Sequence, residues 1–113
     1  MTSTTKPTAG LIGTGHIGRF HTKHLSQHED WQFLGIYDRD QRRAQQIAAE
    51  FKVTAFNDFQ PLIQAVDAVF ITCPTAYHYF YAHLALEAGK HVFIEKPITV
   101  TLAEGARLVA LAQ

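Results

Sequence analysis

Cysteine, tryptophan and methionine each occur once in these 113 residues, and neither sign of charge is in excess. The single cysteine, Cys73, excludes an internal disulfide, so a reducing cytoplasm is the expected location. A net charge of zero without a basic cluster gives no electrostatic reason to expect nucleic acid or an anionic membrane as a partner. No apolar run approaches the roughly twenty residues of a membrane-spanning helix. These absences leave a globular chain long enough for one domain with a hydrophobic core.

The N-terminal segment differs in composition from the rest of the chain. Residues 1–8 contain threonine, serine and lysine but no apolar stretch of the kind that signal peptides carry. We therefore expect residues 1–8 to be a flexible terminus and residues 9–113 to form the domain.

Short apolar segments alternate with segments of helical periodicity along the rest of the chain. Strands are predicted over residues 9–13, 32–37, 53–56, 67–73 and 91–95. Helices are predicted at about 16–27, after Asp40, after Asn57 or Asp58, over 76–88 up to Gly89, and from Thr101 onward. Such alternation predicts an α/β fold with a doubly wound parallel sheet, the Rossmann fold, in strand order 3-2-1-4-5. A ligand crevice is then expected at the carboxyl ends of strands 1 and 4.

Three glycines with the spacing G-x-G-x-x-G connect the first predicted strand to the first helix. Gly13 permits a tight turn, Gly15 lets the backbone approach a pyrophosphate, and Gly18 allows the helix to pack closely on the strand. His16 and Ile17 begin the helix, whose free amides would bind the phosphate, so they are also predicted to contact the cofactor. The pattern predicts a dinucleotide site and disfavours the alternative of a glycine-rich turn without ligand.

An acidic residue ends the second predicted strand. Asp38 lies twenty positions after Gly18 and can accept hydrogen bonds from the ribose hydroxyls of adenosine. The same carboxylate would repel a 2′-phosphate, which favours NAD over NADP. Arg39 weakens that preference, because its guanidinium can pair with a phosphate or stack on adenine. Asp38 could instead cap the next helix, and the two roles are compatible.

The end of strand 4 provides further candidates at the same edge of the sheet. Cys73 and Pro74 are predicted to contact the cofactor, with Cys73 as a small residue filling the strand end and not a nucleophile. His78 follows four residues after Pro74. It either contacts the nicotinamide side of the crevice or lies in solvent in the first turn of a helix.

The end of strand 5 carries Glu95, Lys96 and Pro97. All three are predicted to lie near the cofactor, and Lys96 is the candidate catalytic residue. A lysine beside a nicotinamide can hold a substrate hydroxyl, stabilise a developing alkoxide or take part in proton transfer. An ordinary surface lysine is the alternative.

Other patterns predict structural roles. His21, His24 and His28 could share one helix face, but a polar solvated face is favoured over zinc and no metal site is predicted. Four residues at helical spacing are expected to pack, some of them against a further domain: Tyr77, Phe80, Tyr81 and Leu84. Arg42, Arg43 and Glu50 are expected to form a solvated helix face.

Three segments together resemble the glucose–fructose oxidoreductase, inositol 2-dehydrogenase and MocA family. They are residues 13–21 with the glycine motif and His21, residues 72–78 around Pro74, and residues 89–97 with the Glu-Lys-Pro sequence. The resemblance implies an N-terminal Rossmann domain that binds NAD, or alternatively NADP. It also implies that Lys96 contributes to the active site and that the Pro74 loop packs near the nicotinamide.

The resemblance further implies a parent oxidoreductase. Such an enzyme transfers a hydride between the cofactor and a secondary alcohol of a sugar, nucleotide-sugar or cyclitol. Family members continue into a C-terminal substrate domain that these residues do not include, so the 113-residue chain is expected to be inactive by itself and to bind substrate only together with that domain. An uncovered edge at strand 5 predicts self-association. A stand-alone, non-catalytic dinucleotide-binding module or sensor is the alternative.

Overall fold

The computed structural model describes residues 6–95 and 102–112. In chain order these residues form β1 (Thr8–Ile12), α1 (His16–Gln27), β2 (Gln32–Tyr37), α2 (Gln41–Phe51), β3 (Thr54–Ala55), α3 (Phe59–Ala65) and β4 (Ala68–Ile71). A 3-10 turn (Thr75–Tyr77), α4 (His78–Glu87), β5 (His91–Ile94) and α5 (Leu102–Ala112) follow. No helix within these ranges has the length and apolar character needed to cross a membrane.

The strands form one parallel sheet in the order β3-β2-β1-β4-β5. This order confirms the predicted Rossmann fold. The order in which strands are added to the sheet reverses at β1, which pairs with β2 on one side and with β4 on the other. Parallel pairing places the carboxyl ends of these three strands at one edge, where the crevice is expected.

The sheet is covered on both faces, because successive residues of β1 enter different cores. Leu11 packs with Leu25 of α1 and Ile47 of α2 on one face. Ile12 packs with Leu62 of α3 and Tyr81 of α4 on the other. Side chains alternate between the two faces of a strand, so a continuous apolar strand supplies both cores.

Turn and cap chemistry sets most element boundaries as predicted. The Asp40 carboxylate accepts a hydrogen bond from the Arg43 amide at 3.1 Å and caps α2. Asp58, not Asn57, caps α3 by accepting from the Gln60 amide. Gly89 follows α4 with φ of +78°, the left-handed conformation predicted for it. Thr101 lies outside the described residues, and α5 begins at the next position.

Some boundaries differ from prediction. Thr8 belongs to β1 and not to a flexible terminus, because the Asp67 carboxylate accepts from its amide at 2.9 Å and its hydroxyl at 3.1 Å. The predicted strand over 67–73 is shorter and ends at Ile71. The predicted helix over 76–88 begins instead as a 3-10 turn after Pro74 and becomes α-helical at His78.

Candidate functional site

A cavity of about 370 Å³ opens at the carboxyl ends of β1, β2 and β4. Five residues predicted to contact the cofactor line it: Gly13, Asp38, Arg39, Cys73 and Pro74. The remaining lining residues were not predicted as site residues: Ile12, Asp40, Arg43, Tyr77 and Tyr81. Tertiary folding therefore brings the ends of three strands, far apart in sequence, around one opening.

Two of the motif glycines are required by the protein itself. Gly13 has φ of +102°, and a Cβ there would lie 2.3 Å from the Cys73 nitrogen. A Cβ on Gly18 would lie 1.7 Å from the Gly13 carbonyl oxygen. That oxygen also accepts a hydrogen bond from the Thr72 hydroxyl at 2.7 Å. The loop between β1 and α1 is thus closely packed against the residues that follow β4.

Gly15 differs from both, because no described neighbour requires its lack of a side chain. Its φ of −67° suits any residue, and a Cβ there would meet no heavy atom of the described structure within 4 Å. His16 and Ile17 follow at the start of α1, and both are exposed. Their amides are among the first helical N–H groups, which have no partner within the helix. Open space therefore lies over a helix N-terminus, the arrangement that accepts a phosphate.

Asp38 is held at the end of β2 by contacts to three residues. Its Oδ2 accepts from the Thr14 amide at 2.6 Å, the Thr14 hydroxyl at 2.8 Å and Arg43 Nη2 at 3.0 Å. Its Oδ1 accepts from the Asp40 amide at 2.8 Å. Burial by itself would raise the pKa of Asp38, but these hydrogen bonds outweigh it and lower the pKa below its usual value. The alternative role of Asp38 as a helix cap is wrong, because Asp40 caps α2.

Arginine side chains from two positions reach the cavity. Arg39 stacks over the Tyr77 ring with its Cζ 4.9 Å from the ring centroid. Arg43 is exposed as predicted, but from the first turn of α2 it also donates to Asp38 at the end of β2, a contact that was not predicted. Arg42 and Glu50 are exposed as predicted, and Glu50 pairs with Arg19.

The two tyrosines of the lining were predicted only to pack. Tyr81 does pack, since it is 4% exposed and its ring contacts Phe59 and Tyr37. Tyr77 is 40% exposed and covers one side of the cavity with Arg39. Their position just after Pro74, at the carboxyl edge of the sheet, is the signal in the sequence that could have identified them.

Cys73 and His78 form a buried contact behind the cavity. His78 is 2% exposed, and its Nε2 donates to the Cys73 carbonyl oxygen at 2.8 Å, because a carbonyl can only accept. The alternative of a solvent-exposed His78 is therefore wrong. Its contact with a nicotinamide stays a prediction, since it lies beneath the Cys73–Pro74 turn and not on the cavity lining. Burial raises the pKa of the Cys73 thiol to about 12, which disfavours a nucleophilic thiolate.

Glu95 is joined to α1 across the sheet edge. Its Oε1 lies 2.6 Å from His21 Nε2. Contact of Glu95 with a cofactor stays a prediction, and the predicted Lys96 and Pro97 lie outside the described residues. Among residues 6–95 and 102–112, no three His, Cys, Asp or Glu side chains are grouped as metal ligands would be.

The model of the GFO/IDH/MocA oxidoreductases, described as an NAD-binding Rossmann fold, matches residues 8–113. UDP-N-acetylglucosamine 3-dehydrogenase from Acidithiobacillus ferrooxidans is 40% identical over 104 residues, which cover 92% of this chain and 33% of the relative. Inositol 2-dehydrogenase/D-chiro-inositol 3-dehydrogenase from Halalkalibacterium halodurans is 37% identical, with 92% of this chain and 31% of the relative covered.

Solved structures agree with the sequence relatives. The structure of the Acidithiobacillus ferrooxidans enzyme superposes with a TM-score of 0.91 at 38% identity, over 96% of this chain and 35% of that one. A 3-ketoreductase from Actinomadura kijaniata in complex with NADP gives 0.86 at 29% identity, over 96% and 36%. The chain thus spans about a third of the length of the relatives it matches.

Proposed function

Because the chain belongs to the GFO/IDH/MocA oxidoreductase family through its NAD-binding Rossmann fold, we propose how it holds a nicotinamide dinucleotide. The pyrophosphate lies over Gly15 at the N-terminus of α1. The adenosine half extends toward Asp38 and Arg39, and the nicotinamide half toward Pro74 and the end of β5.

The observation that carries this placement is the open space at Gly15. Gly13 and Gly18 are glycines for reasons internal to the fold, but Gly15 has ordinary backbone angles and no neighbour within 4 Å in the described structure. A side chain there would occupy only the space above the first turn of α1. A pyrophosphate seated on the amides of that turn gives this position a reason to be glycine.

The chain's own residues have distinct tasks in this arrangement. The Thr72 hydroxyl holds the Gly13 carbonyl, and His78 holds the Cys73 carbonyl, so both loops at the cavity keep their shape. Arg39 and Tyr77 provide a flat cationic and aromatic surface for the adenine. Asp38 keeps the Thr14 amide in place beside the cavity.

The parent protein is proposed to transfer a hydride between a nicotinamide cofactor and a secondary alcohol of a sugar, nucleotide-sugar or cyclitol. A bound nicotinamide ring would accept the hydride from the carbinol carbon, and the hydroxyl proton would leave to a base. Lys96 is the residue of this chain proposed to hold the reacting oxygen and to stabilise its negative charge. The substrate contacts and the main acid–base group are proposed to come from a further domain.

Titration with NADH, followed by its fluorescence, tests the binding proposal. The wild-type chain should bind, whereas Gly15→Ala should bind at least about tenfold more weakly with an unchanged unfolding midpoint. Gly105→Ala in α5, away from the cavity lining, serves as the matched control and should bind as wild type does. Equal binding by the Gly15 variant would contradict the placement.

The chain by itself is proposed to turn over no substrate. Incubation with NAD and either inositol or UDP-N-acetylglucosamine should produce no NADH absorbance above a protein-free control. Measured turnover by these 113 residues would overturn that proposal. We also propose a cytoplasmic location for the protein, because its single cysteine is a free thiol and needs no oxidising compartment.

Self-association through the β5 edge is proposed as well. Phe93 of β5 is 47% exposed and stacks on Phe70, while β5 pairs only with β4 among the described residues. A strand edge without a described partner, next to an exposed aromatic side chain, favours association. Light scattering should show a mass that rises with concentration, and Phe93→Lys should reduce it. A monomer at all concentrations would contradict the proposal.

A further inference from the structure

Asp38 does not present a free carboxylate to the cavity. Its side chain is only 8% exposed. Four hydrogen bonds reach this carboxylate: Oδ2 accepts two from Thr14 and one from Arg43, and Oδ1 accepts one from the Asp40 amide. The contact to Arg43 is an ion pair as well as a hydrogen bond. The negative charge that should reject a 2′-phosphate is therefore compensated within the protein.

Two guanidinium groups, in contrast, are available at this end of the cavity. Arg43 lines the opening with a side chain that is 45% exposed, and only its Nη2 is used by Asp38. Arg39 is exposed and stacks on Tyr77 at the same opening. A guanidinium carries five N–H donors in a planar fork, so Arg43 can donate to Asp38 and to a phosphate together.

A second carboxylate, besides Asp38, lies at this opening. Asp40 also lines the cavity, and its Oδ1 accepts from the Arg43 amide. It caps α2, where asparagine caps equally well. Replacing Asp40 by asparagine therefore removes one negative charge from the cavity and retains the cap. Its effect on phosphate binding should be opposite to the effect of removing Arg43.

We propose that Arg43 makes the cofactor site accept a ribose 2′-phosphate as well as a 2′-hydroxyl, so that the chain binds NADP(H) in addition to NAD(H). Arg43 acts as the specificity-determining residue in two ways: it neutralises Asp38 and it donates to the phosphate. Arg39, which also lines the opening, contributes a second cation. This inference rests on the proposed function, since it assumes that the adenosine end lies beside Asp38.

Parallel fluorescence titrations with NADH and NADPH test the proposal. The wild-type dissociation constants should lie within about tenfold of each other. Arg43→Ala should weaken NADPH binding relative to NADH binding by about tenfold or more, the loss expected for one hydrogen bond to a charged group. Asp40→Asn should strengthen NADPH binding relative to NADH.

Two further variants guard against general effects. Arg42→Ala removes an exposed arginine from the same helix and should leave the NADPH-to-NADH ratio unchanged. The glutamine of Arg43→Gln carries no charge but can still donate a hydrogen bond to Asp38. Circular dichroism verifies that each variant is folded. If Arg42→Ala lowers NADPH binding as much as Arg43→Ala does, the effect is one of net charge and the assignment to Arg43 is wrong.

The possible failures are distinguishable. Binding of neither coenzyme overturns the proposed function and the inference with it. Binding of NADH with NADPH at least about a hundredfold weaker, unaltered in Arg43→Ala, overturns the inference and leaves the proposed function standing. A ratio that depends on Arg43 and Asp40 in opposite directions supports both.

Discussion

His21 Nε2 lies 2.6 Å from Glu95 Oε1, so the second turn of α1 is joined to the residue that follows β5. The two residues are 74 positions apart in sequence. Glu95 directly precedes Lys96, the proposed catalytic residue. Helix α1 therefore connects the glycine loop that precedes it to Glu95, the neighbour of Lys96, without any ligand.

A double-mutant cycle should measure this connection. His21→Ala and Glu95→Ala should each destabilise the chain slightly, and the double variant should lose less than the sum, with a coupling of about 0.5–1 kcal/mol for a half-exposed pair. Urea unfolding gives the free energies. The His83–Glu87 pair, 2.9 Å apart within α4, is the matched local control. Strict additivity of the two losses would show that the contact contributes nothing.

The three motif glycines should separate into two classes on substitution. Gly18→Ala places a Cβ against the Gly13 carbonyl, so we expect a loss of about 3 kcal/mol or more, as for severe overpacking. Gly15→Ala meets nothing in the described structure and should change the free energy of unfolding by less than about 1 kcal/mol. Urea denaturation of both variants measures the difference. Similar losses at both positions would refute the distinction.

Acid sensitivity should depend on Asp38. Because its pKa is lowered in the folded state, its stabilising contribution is present above the usual carboxyl pKa of about 4 and disappears as the pH falls below it. Asp38→Asn should therefore be less stable than wild type at pH 7, with the gap narrowing toward pH 3. Asp30→Asn, at a highly exposed site, should follow the wild-type pH profile. The measurement is urea unfolding across this pH range.

Cys73 should resist alkylation in the folded chain. Because burial raises the pKa of the Cys73 thiol to about 12, the reactive thiolate should be scarce in the folded chain at pH 8. Iodoacetamide labelling followed by mass spectrometry should be slow for the native chain and fast in urea, where the thiol recovers its ordinary acidity. Since the chain has one cysteine, the signal is unambiguous. Rapid native labelling would revive a nucleophilic role.

Local patterns predicted the elements well because their causes are local. Apolar runs bounded by Gly13 and Pro74 mark buried strands, and Asp40 caps a helix through its own neighbours. The predicted strand order followed from the alternation of strands and helices and from the handedness of crossovers. Predicted boundaries were less accurate where a residue distant in sequence forms a hydrogen bond with the end of an element. The Asp67 carboxylate, for example, accepts from the Thr8 amide, and Thr8 belongs to β1.

The candidate site was predicted in part. Glycine spacing and the acidic end of β2 identified Gly13 and Asp38, because the motif specifies their backbone positions. Arg43 and Tyr77 were missed, since helical spacing assigns a face but does not say which neighbour that face meets. The contacts of Arg43 to Asp38 and of Tyr77 to Arg39 exist only once α2 and the turn before α4 reach one edge of the sheet.

The sequence by itself determined the order of strands and helices, the place of the glycine loop and the edge at which a dinucleotide is proposed to bind, because periodicity, caps and turn residues act over a few positions. Tertiary structure alone decided that Asp38 pairs with Arg43, that His78 is buried and that His21 contacts Glu95. These outcomes depend on distances between residues of different elements, and such distances are set only when the sheet assembles and the two cores close around it.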